Sequence, residues 1–328
     1  MAIKRYLGAV LNTCRRCIPA IVRLETLRRL ERERAALNVL YAAAVSGQGA
    51  VQSPGVHGVI FSRDRALQLH ALLRSFASHV AQPRPPLTVL YRATNARHAA
   101  AYQELFREVA TLGLDIRPVP ETPGRFRDQL LAVLAGASAS QVFFLVDDMV
   151  FIRPVDFSAF RGLDGTRCIF SLRLGKQVVF SYPEQRDLAL PTVTPGPIAT
   201  TLTWRWRDGD GEWDYPLSVD GHVFASCEIQ AMLRSVPFQA PNSLEWALVA
   251  RFHPWVRLRA GVCYPEACVV NVPLNRVQHE MPNRAEDGSP DELLRLWEAG
   301  QMLDFGALAR QTCRSAHFPV EARFVPRR

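Results

Sequence analysis

The sequence predicts an α/β domain built on a mostly parallel sheet flanked by helices, with a helical N-terminal arm. Three observations carry that expectation. From residue 56, short apolar runs alternate with helical patterns at intervals of about 25–30 residues. The run Val142–Val146 is apolar throughout, as a strand buried on both faces should be. The first fifty residues differ from the rest in charge and in periodicity.

At 328 residues, with 48% apolar and 21% charged side chains, the chain is sized for one large domain or a domain with a helical appendage. That composition excludes a disordered or collagen-like protein. No run reaches the ~18 uninterrupted apolar residues of a spanning helix, and the basic N-terminus lacks the apolar core and small-residue cleavage site of a signal peptide. Seven scattered cysteines suit a reducing cytosol, each as a small buried hydrophobe. Charge is uneven. Residues 1–50 carry nine Lys/Arg against three Glu, a net +6 of the chain's +8. A basic front segment seeks nucleic acid, anionic lipid or an acidic partner.

Residues 2–17 and 20–44 read as two helices, since Tyr6, Val10, Cys14, Cys17, Ile21 and Leu24 recur at helical steps. Pro19 suits a first helical turn, and the Gly- and Pro-containing stretch from Gly47 to Gly55 reads as a linker. The expected division is therefore an arm and linker over 1–52, the main domain over 53–300 and a C-terminal tail over 301–328. The arm either lies on an anionic membrane surface through residues 1–44 or packs on the domain with its arginines solvated. Aromatic stacking residues are nearly absent from it, so nucleic acid is not the expected partner. Strands are expected at Val56–Phe61, Leu87–Tyr91, Leu114–Pro118 and Val142–Val146. Helices are expected around Leu67–Phe76, Ala99–Leu112 and Arg127–Ala135. After residue 165 the pattern turns irregular, with Trp204, Trp206 and Trp213 beside Asp208, Asp210 and Asp214. Those tryptophans suit a sugar-stacking loop, although core packing is the commoner fate of an indole.

The most informative stretch is Gln141–Pro154, in which an apolar strand runs into Asp147-Asp148. Ligands in open α/β sheets gather at the carboxyl ends of strands, and two adjacent acids there need a cation or hydroxyls to take up their charge. An extended backbone would aim them to opposite sides, one at a metal and the other at a hydroxyl or an arginine; a strand-end turn with two solvated acids is the alternative. No G-x-x-x-x-G-K-[S/T] loop and no G-x-G-x-x-G fingerprint is present, which sets aside P-loop and dinucleotide-binding classes.

The first strand runs into Ile60-Phe61-Ser62-Arg63-Asp64-Arg65, followed by Leu67, Leu69, Leu72, Leu73 and Ser75. With Val146-Asp147-Asp148-Met149 about 85 residues later, this resembles glycosyltransferases of the GT-A type, nearest the family-2-like and exostosin-like nucleotide-diphospho-sugar transferases, over roughly residues 56–280. The resemblance implies that Ser62, Arg63 and Arg65 hold the nucleotide. It implies that Asp147 and Asp148 sit at the D-x-D position with Mn2+ or Mg2+, and that Arg125 and Arg127 approach the diphosphate. His279 would be a further metal contact and Arg276 a diphosphate contact. Met149 departs from the pattern, because a thioether is a poor ligand for a hard cation. Either Asp148 takes the metal, or the site is metal-independent and arginines neutralise the diphosphate.

An inverting transfer needs a carboxylate to take the acceptor's proton. Glu245, in Pro241-Asn242-Ser243-Leu244-Glu245, resembles the family's base, with Asp220 as a hydroxyl contact; Asp220-Gly221 alternatively forms only a turn, and Glu245 a helix-start acid. The expectation is a cytoplasmic enzyme, peripheral at the inner face of the membrane. It would move a sugar from a nucleotide-sugar donor to a saccharide or lipid-linked acceptor in surface polysaccharide synthesis. A nucleotidyltransferase can share the sheet, but Ser62–Ala66 lacks its glycine-rich loop. A non-catalytic glycan- or nucleotide-binding protein would explain Met149.

Overall fold

In the computed structural model, residues 25–45, 53–275, 289–318 and 322–327 are described. Residues 25–45 form helix α1, overlapping the second of the two expected arm helices; residues 1–24 lie outside the described residues. Then β1 (Ser53–Arg63), α2 (Ala66–His79), β2 (Leu87–Arg92), α3 (Ala96–Val109), β3 (Ile116–Pro120), α4 (Phe126–Gly136) and β4 (Ala139–Val146) alternate. Helix α3 starts where Asn95 accepts a hydrogen bond from the His98 N–H at 3.0 Å. The third strand begins two residues later than its apolar pattern suggests. Gly113, at φ 63°, closes the turn after α3 and leaves Leu114 and Asp115 as the approach to β3.

The second half holds shorter strands: β5 (Met149–Phe151), β6 (Cys168–Ser171), β7 (Phe180–Ser181), β8 (Arg186–Asp187), β9 (Thr194–Pro195), β10 (Leu202–Arg205) and β11 (His222–Ala225). Helices α5 (Ser226–Ser235) and α6 (Pro241–Val256) precede β12 (Ala260–Cys263) and β13 (Val269–Asn271). Helix α7 (Pro290–Glu298), β14 (Gln301–Leu303), α8 (Phe305–Ala309) and β15 (Phe324–Pro326) complete the chain.

The main sheet has the order β3-β2-β1-β4-β11-β6-β12-β10-β9. Its first four strands are parallel, and β11 runs against both of its neighbours. Following the pairings across the sheet, seven of nine strands share one direction. Strand β4 is central, and its alternating side chains feed two apolar layers. Phe143 and Leu145 join the layer with α2 and α3, while Val142 and Phe144 join the layer with α4 and α5. Residues 301–318 and 322–327 pack on this body: β14 pairs with β15, and the Arg327 guanidinium lies 3.5 Å over the Trp297 ring. Of the five described cysteines, all free, four are buried and Cys227 is half-buried. No helix among the described residues is long and apolar enough to cross a membrane.

Trp204, Trp206 and Trp213 are core residues rather than a sugar platform, at 4%, 0% and 0% exposure. They meet edge to face, and Trp213 donates to the Val178 carbonyl at 2.9 Å. The acids beside them are consumed by arginines: Asp210 by Arg186, and Asp214 by Arg257. Trp213→Ala should therefore lower stability by about 3–5 kcal/mol in urea unfolding, whereas a solvent-facing platform would lose less than about 0.5 kcal/mol.

Candidate functional site at the carboxyl ends of the strands

Parallel pairing of β1 with β4 aligns Phe61 with Val146, so the turns that follow both strands emerge side by side. After β1, Asp64 adopts φ 55°, a left-handed conformation that Asp tolerates better than most residues. Its Oδ1 accepts the Thr94 N–H at 2.8 Å, tying the turn to the end of β2. Arg65 then opens α2 with its own N–H on the Tyr102 hydroxyl at 3.1 Å, and that hydroxyl also meets the Ser62 Oγ at 2.6 Å.

The turn after β4 delivers Asp147 and Asp148 to the same guanidinium. Arg65 Nη1 lies 3.0 Å from Asp147 Oδ1 and 3.3 Å from Asp148 Oδ2. This corrects the expectation of acids on opposite sides, because residues 147–148 form a turn rather than continuing the strand. Asp147 Oδ2 accepts the Arg63 N–H at 3.1 Å, and Arg65 Nη2 donates to the Asn275 carbonyl. Burial raises the Asp147 pKa to about 6, against the pull of Arg65 and with Asp148 adding to the rise. For Arg65, burial opposes the charged form, but both carboxylates outweigh it and raise its pKa.

A second charged group adjoins the first. Asn271, at the end of β13, points its Nδ2 at Asp148 Oδ1 (3.1 Å) and at Asp220 Oδ2 (3.3 Å). Asp220 is placed by Gly221, whose φ of 77° lets the chain turn between β4 and β6. The Gly221 N–H donates to the Phe144 carbonyl and its carbonyl accepts from Leu172, both at 2.8 Å. Around Asp220 stand Arg173 Nη1 and His317 Nε2, each 3.7 Å from Oδ2. Arg173 also binds Glu212 Oε2 at 2.6 Å and Ser218 Oγ at 2.7 Å. Burial raises the Asp220 pKa to about 7; Arg173 and His317 oppose the rise, while Glu245 and Asp148 add to it. Burial works against the Glu212 anion too, yet Arg173 and His317 hold its pKa down at about 2. The same carboxylates, Glu212 and Asp220, raise the pKa of His317 against its burial.

The structure thus brings together Ser62, Arg63, Arg65, Asp147, Asp148 and Asp220. Glu245 stands behind them on α6, its carboxylate taken up by the Tyr215 hydroxyl (2.9 Å), the Ser218 hydroxyl (3.1 Å) and the Val219 N–H (2.8 Å). Arg127 is not among them: its guanidinium caps carbonyls of Leu233, Arg234 and Val236 at the end of α5. Arg125 is solvent-facing and paired with Asp128 at 3.0 Å. Arg276 and His279 lie outside the described residues. Asn271, Arg173, Glu212 and His317 were not singled out in the sequence. Arg173 and Asn271 carried a faint signal, each a polar residue inside an apolar run; His317 carried none.

The described residues do not fit a divalent metal at the acidic turn. All four carboxylate oxygens of Asp147 and Asp148 already accept N–H donors. Met149 is fully buried in the apolar layer, and among the described residues no group of three or more His, Cys, Asp or Glu could hold a metal.

No family model matches the sequence, and no curated protein sequence matches it. Among solved structures it resembles a crystal structure of S. aureus TarS, at 11% identity and TM-score 0.38, over 75% of this chain and 39% of that one. It also resembles S. aureus TarS 1–349 in complex with UDP-GlcNAc, at 12% identity and TM-score 0.39, over 75% and 66%. A third is the apo structure of the bifunctional glycosyltransferase WbbM, at 12% identity and TM-score 0.33, over 57% and 35%. The chain covers less than two thirds of each of these structures. Likenesses this distant leave the chemistry to be read from the site itself.

Raised carboxyl pKa values have a stability signature. Asp147 and Asp220 bind a proton more tightly folded than unfolded, where their ordinary value is 3.8. Their contribution to stability is therefore greatest at low pH and falls as pH rises from about 4 to 7. Asp220→Asn should flatten that fall and raise stability at pH 8 by on the order of 1–3 kcal/mol, measured by urea unfolding across pH 5–8. An unchanged pH slope would contradict the burial of this charge.

Proposed function

We propose that this protein is a glycosyltransferase that moves a sugar from a nucleoside-diphosphate donor to a hydroxyl acceptor, with Asp220 as the general base. One observation supports this above the others: a carboxylate 14% exposed, with its pKa raised to about 7, at the strand edge beside the Asp147–Asp148 turn. A general base works best with a pKa near the operating pH. Asp220 has that property, whereas Glu245 is held by three donors and shapes the loop that carries Asp220.

In this reading the acceptor hydroxyl gives its proton to Asp220 Oδ while its oxygen attacks the anomeric carbon. The bond from that carbon to the diphosphate breaks and leaves negative charge on the β-phosphate, which positive groups must meet. Arg63, with 44% of its side chain exposed, stands beside Arg92, its register partner at the end of β2, with 32% exposed. Both guanidiniums are placed to receive phosphate oxygens. Asn271 holds Asp148 and Asp220 together on the side of the acceptor.

Screened against UDP-, GDP-, CMP- and dTDP-sugars, the wild type should turn over one class, with a rate that rises through pH 7. Asp220→Asn should lose about 10²–10⁴-fold in kcat/KM and lose that rise while still binding the donor. A variant as active as the wild type would sink the assignment.

The acceptor proposed is saccharide or lipid-linked, met at an anionic bilayer. Ala36, Leu40 and Ala43 of α1 pack on the body, while Leu27, Leu30, Leu37, Tyr41 and Val45 are exposed on the helix's other side. Arg28, Arg29, Arg32 and Arg34 accompany them, and the sequence ahead adds Lys4, Arg5, Arg15, Arg16 and Arg23. Apolar residues with flanking arginines match a lipid interface bearing negative charge. The protein should float with phosphatidylglycerol vesicles and not with phosphatidylcholine alone, and Leu30→Glu with Tyr41→Glu should abolish flotation. Concentration-dependent dimers in light scattering, without flotation, would assign the face to a second copy instead.

A further inference from the structure

We propose that the Arg65 guanidinium occupies the place a divalent cation would take against Asp147 and Asp148, so that the acidic turn takes up no metal. The proposal uses the glycosyltransferase reading only to name the anion the site meets. One nitrogen, Nη1, bridges an oxygen of each carboxylate at 3.0 and 3.3 Å, as a bound cation would. The side chain is only 10% exposed. It is pinned at both ends, by the Tyr102 hydroxyl on its backbone N–H and by the Asn275 carbonyl on Nη2. The remaining oxygens of the acid pair are occupied too, Asp147 Oδ2 by the Arg63 N–H and Asp148 Oδ1 by Asn271.

A hard cation asks for several oxygen donors at once. Here each oxygen faces an N–H, and the next residue is the buried Met149. To admit Mn2+, a fixed positive charge would have to leave a buried and a half-buried carboxylate, and the cation would then have to replace every donor it displaced. Arg65 Nε is buried as well, so this guanidinium is committed to the acid pair, and a donor's diphosphate would meet the exposed Arg63 and Arg92 guanidiniums, which grip phosphate without metal.

Manganese binding tests this on the full chain, read by electron paramagnetic resonance, with UDP binding followed by calorimetry as a separate arm. The wild type should take up no stoichiometric Mn2+ and should bind UDP with a Kd that differs by less than about twofold between EDTA and Mn2+. Arg65→Ala, which frees the carboxylates, should gain Mn2+ binding that Asp148→Asn then removes. If Arg65→Ala does not fold, Arg65→Gln serves in its place, because it keeps a longer, polar side chain without the charge.

One Mn2+ per wild-type chain, lost in Asp148→Asn, would overturn the proposal. So would a rise of about tenfold or more in UDP affinity with Mn2+, or a folded Arg65 variant that still ignores Mn2+. A wild type that excludes Mn2+, beside an Arg65 variant that binds it, supports the proposal even if no nucleotide binds. That last result would count against the glycosyltransferase reading alone.

Discussion

A single buried guanidinium decides how this strand edge is organised. Arg65 and Asp147 are 82 positions apart, yet parallel pairing of β1 with β4 brings the turns that carry them side by side. Strand β1 runs two residues past the last β4 pair, Phe61 with Val146, so the turn after β4 lies against the end of β1. Two acids at the end of the apolar run Val142–Val146 would be prohibitive there alone. Removing one partner of such a buried pair costs about 3–5 kcal/mol, although the intact pair adds little net stability over an apolar substitute. A contact of that kind specifies geometry more than it stabilises. It fixes where the β1 turn sits, where α2 starts and how close Asn275 approaches.

The same reasoning explains what the sequence made legible. The four parallel strands and their helices follow from apolar periodicity, and the acids at the end of β4 follow from the strand-end rule. Those inferences are local, and the parallel half of the sheet is local in the same sense. Asp220 was visible as an acid in an apolar run, but its standing relative to Glu245 was not. That depends on Ser218 and Tyr215 spending the Glu245 carboxylate, which only packing reveals. The tryptophans misled because aspartates and glycines surround them; Arg186 and Arg257, brought in from elsewhere, neutralise those aspartates. Arg173, Asn271 and His317 reach the site from three separate segments, and no spacing rule joins them.

The site therefore divides its charge between two centres that differ in kind. At the Asp147–Asp148 turn, one guanidinium faces two carboxylates at hydrogen-bonding distance, and burial raises the Asp147 pKa to about 6. At Asp220, Arg173 is drawn mainly to Glu212, at 2.6 Å against 3.7 Å. Glu212 is accordingly held as an anion, while Asp220 is left with weaker compensation and a pKa near neutrality. Two acids share one arginine unequally, and the inequality separates a structural charge from a titrating one.

Asn271 makes that separation workable. Its single amide nitrogen spans Asp148 and Asp220, so it fixes their spacing without adding charge. A lysine there would neutralise Asp220 and lower its pKa, and an aspartate would add a third negative charge to the cluster. A neutral donor does neither. It holds the carboxylate in place by geometry while burial, rather than a partner, sets its affinity for a proton. The amide's own oxygen is buried with no partner, so Asn271 acts on the two carboxylates through its nitrogen alone.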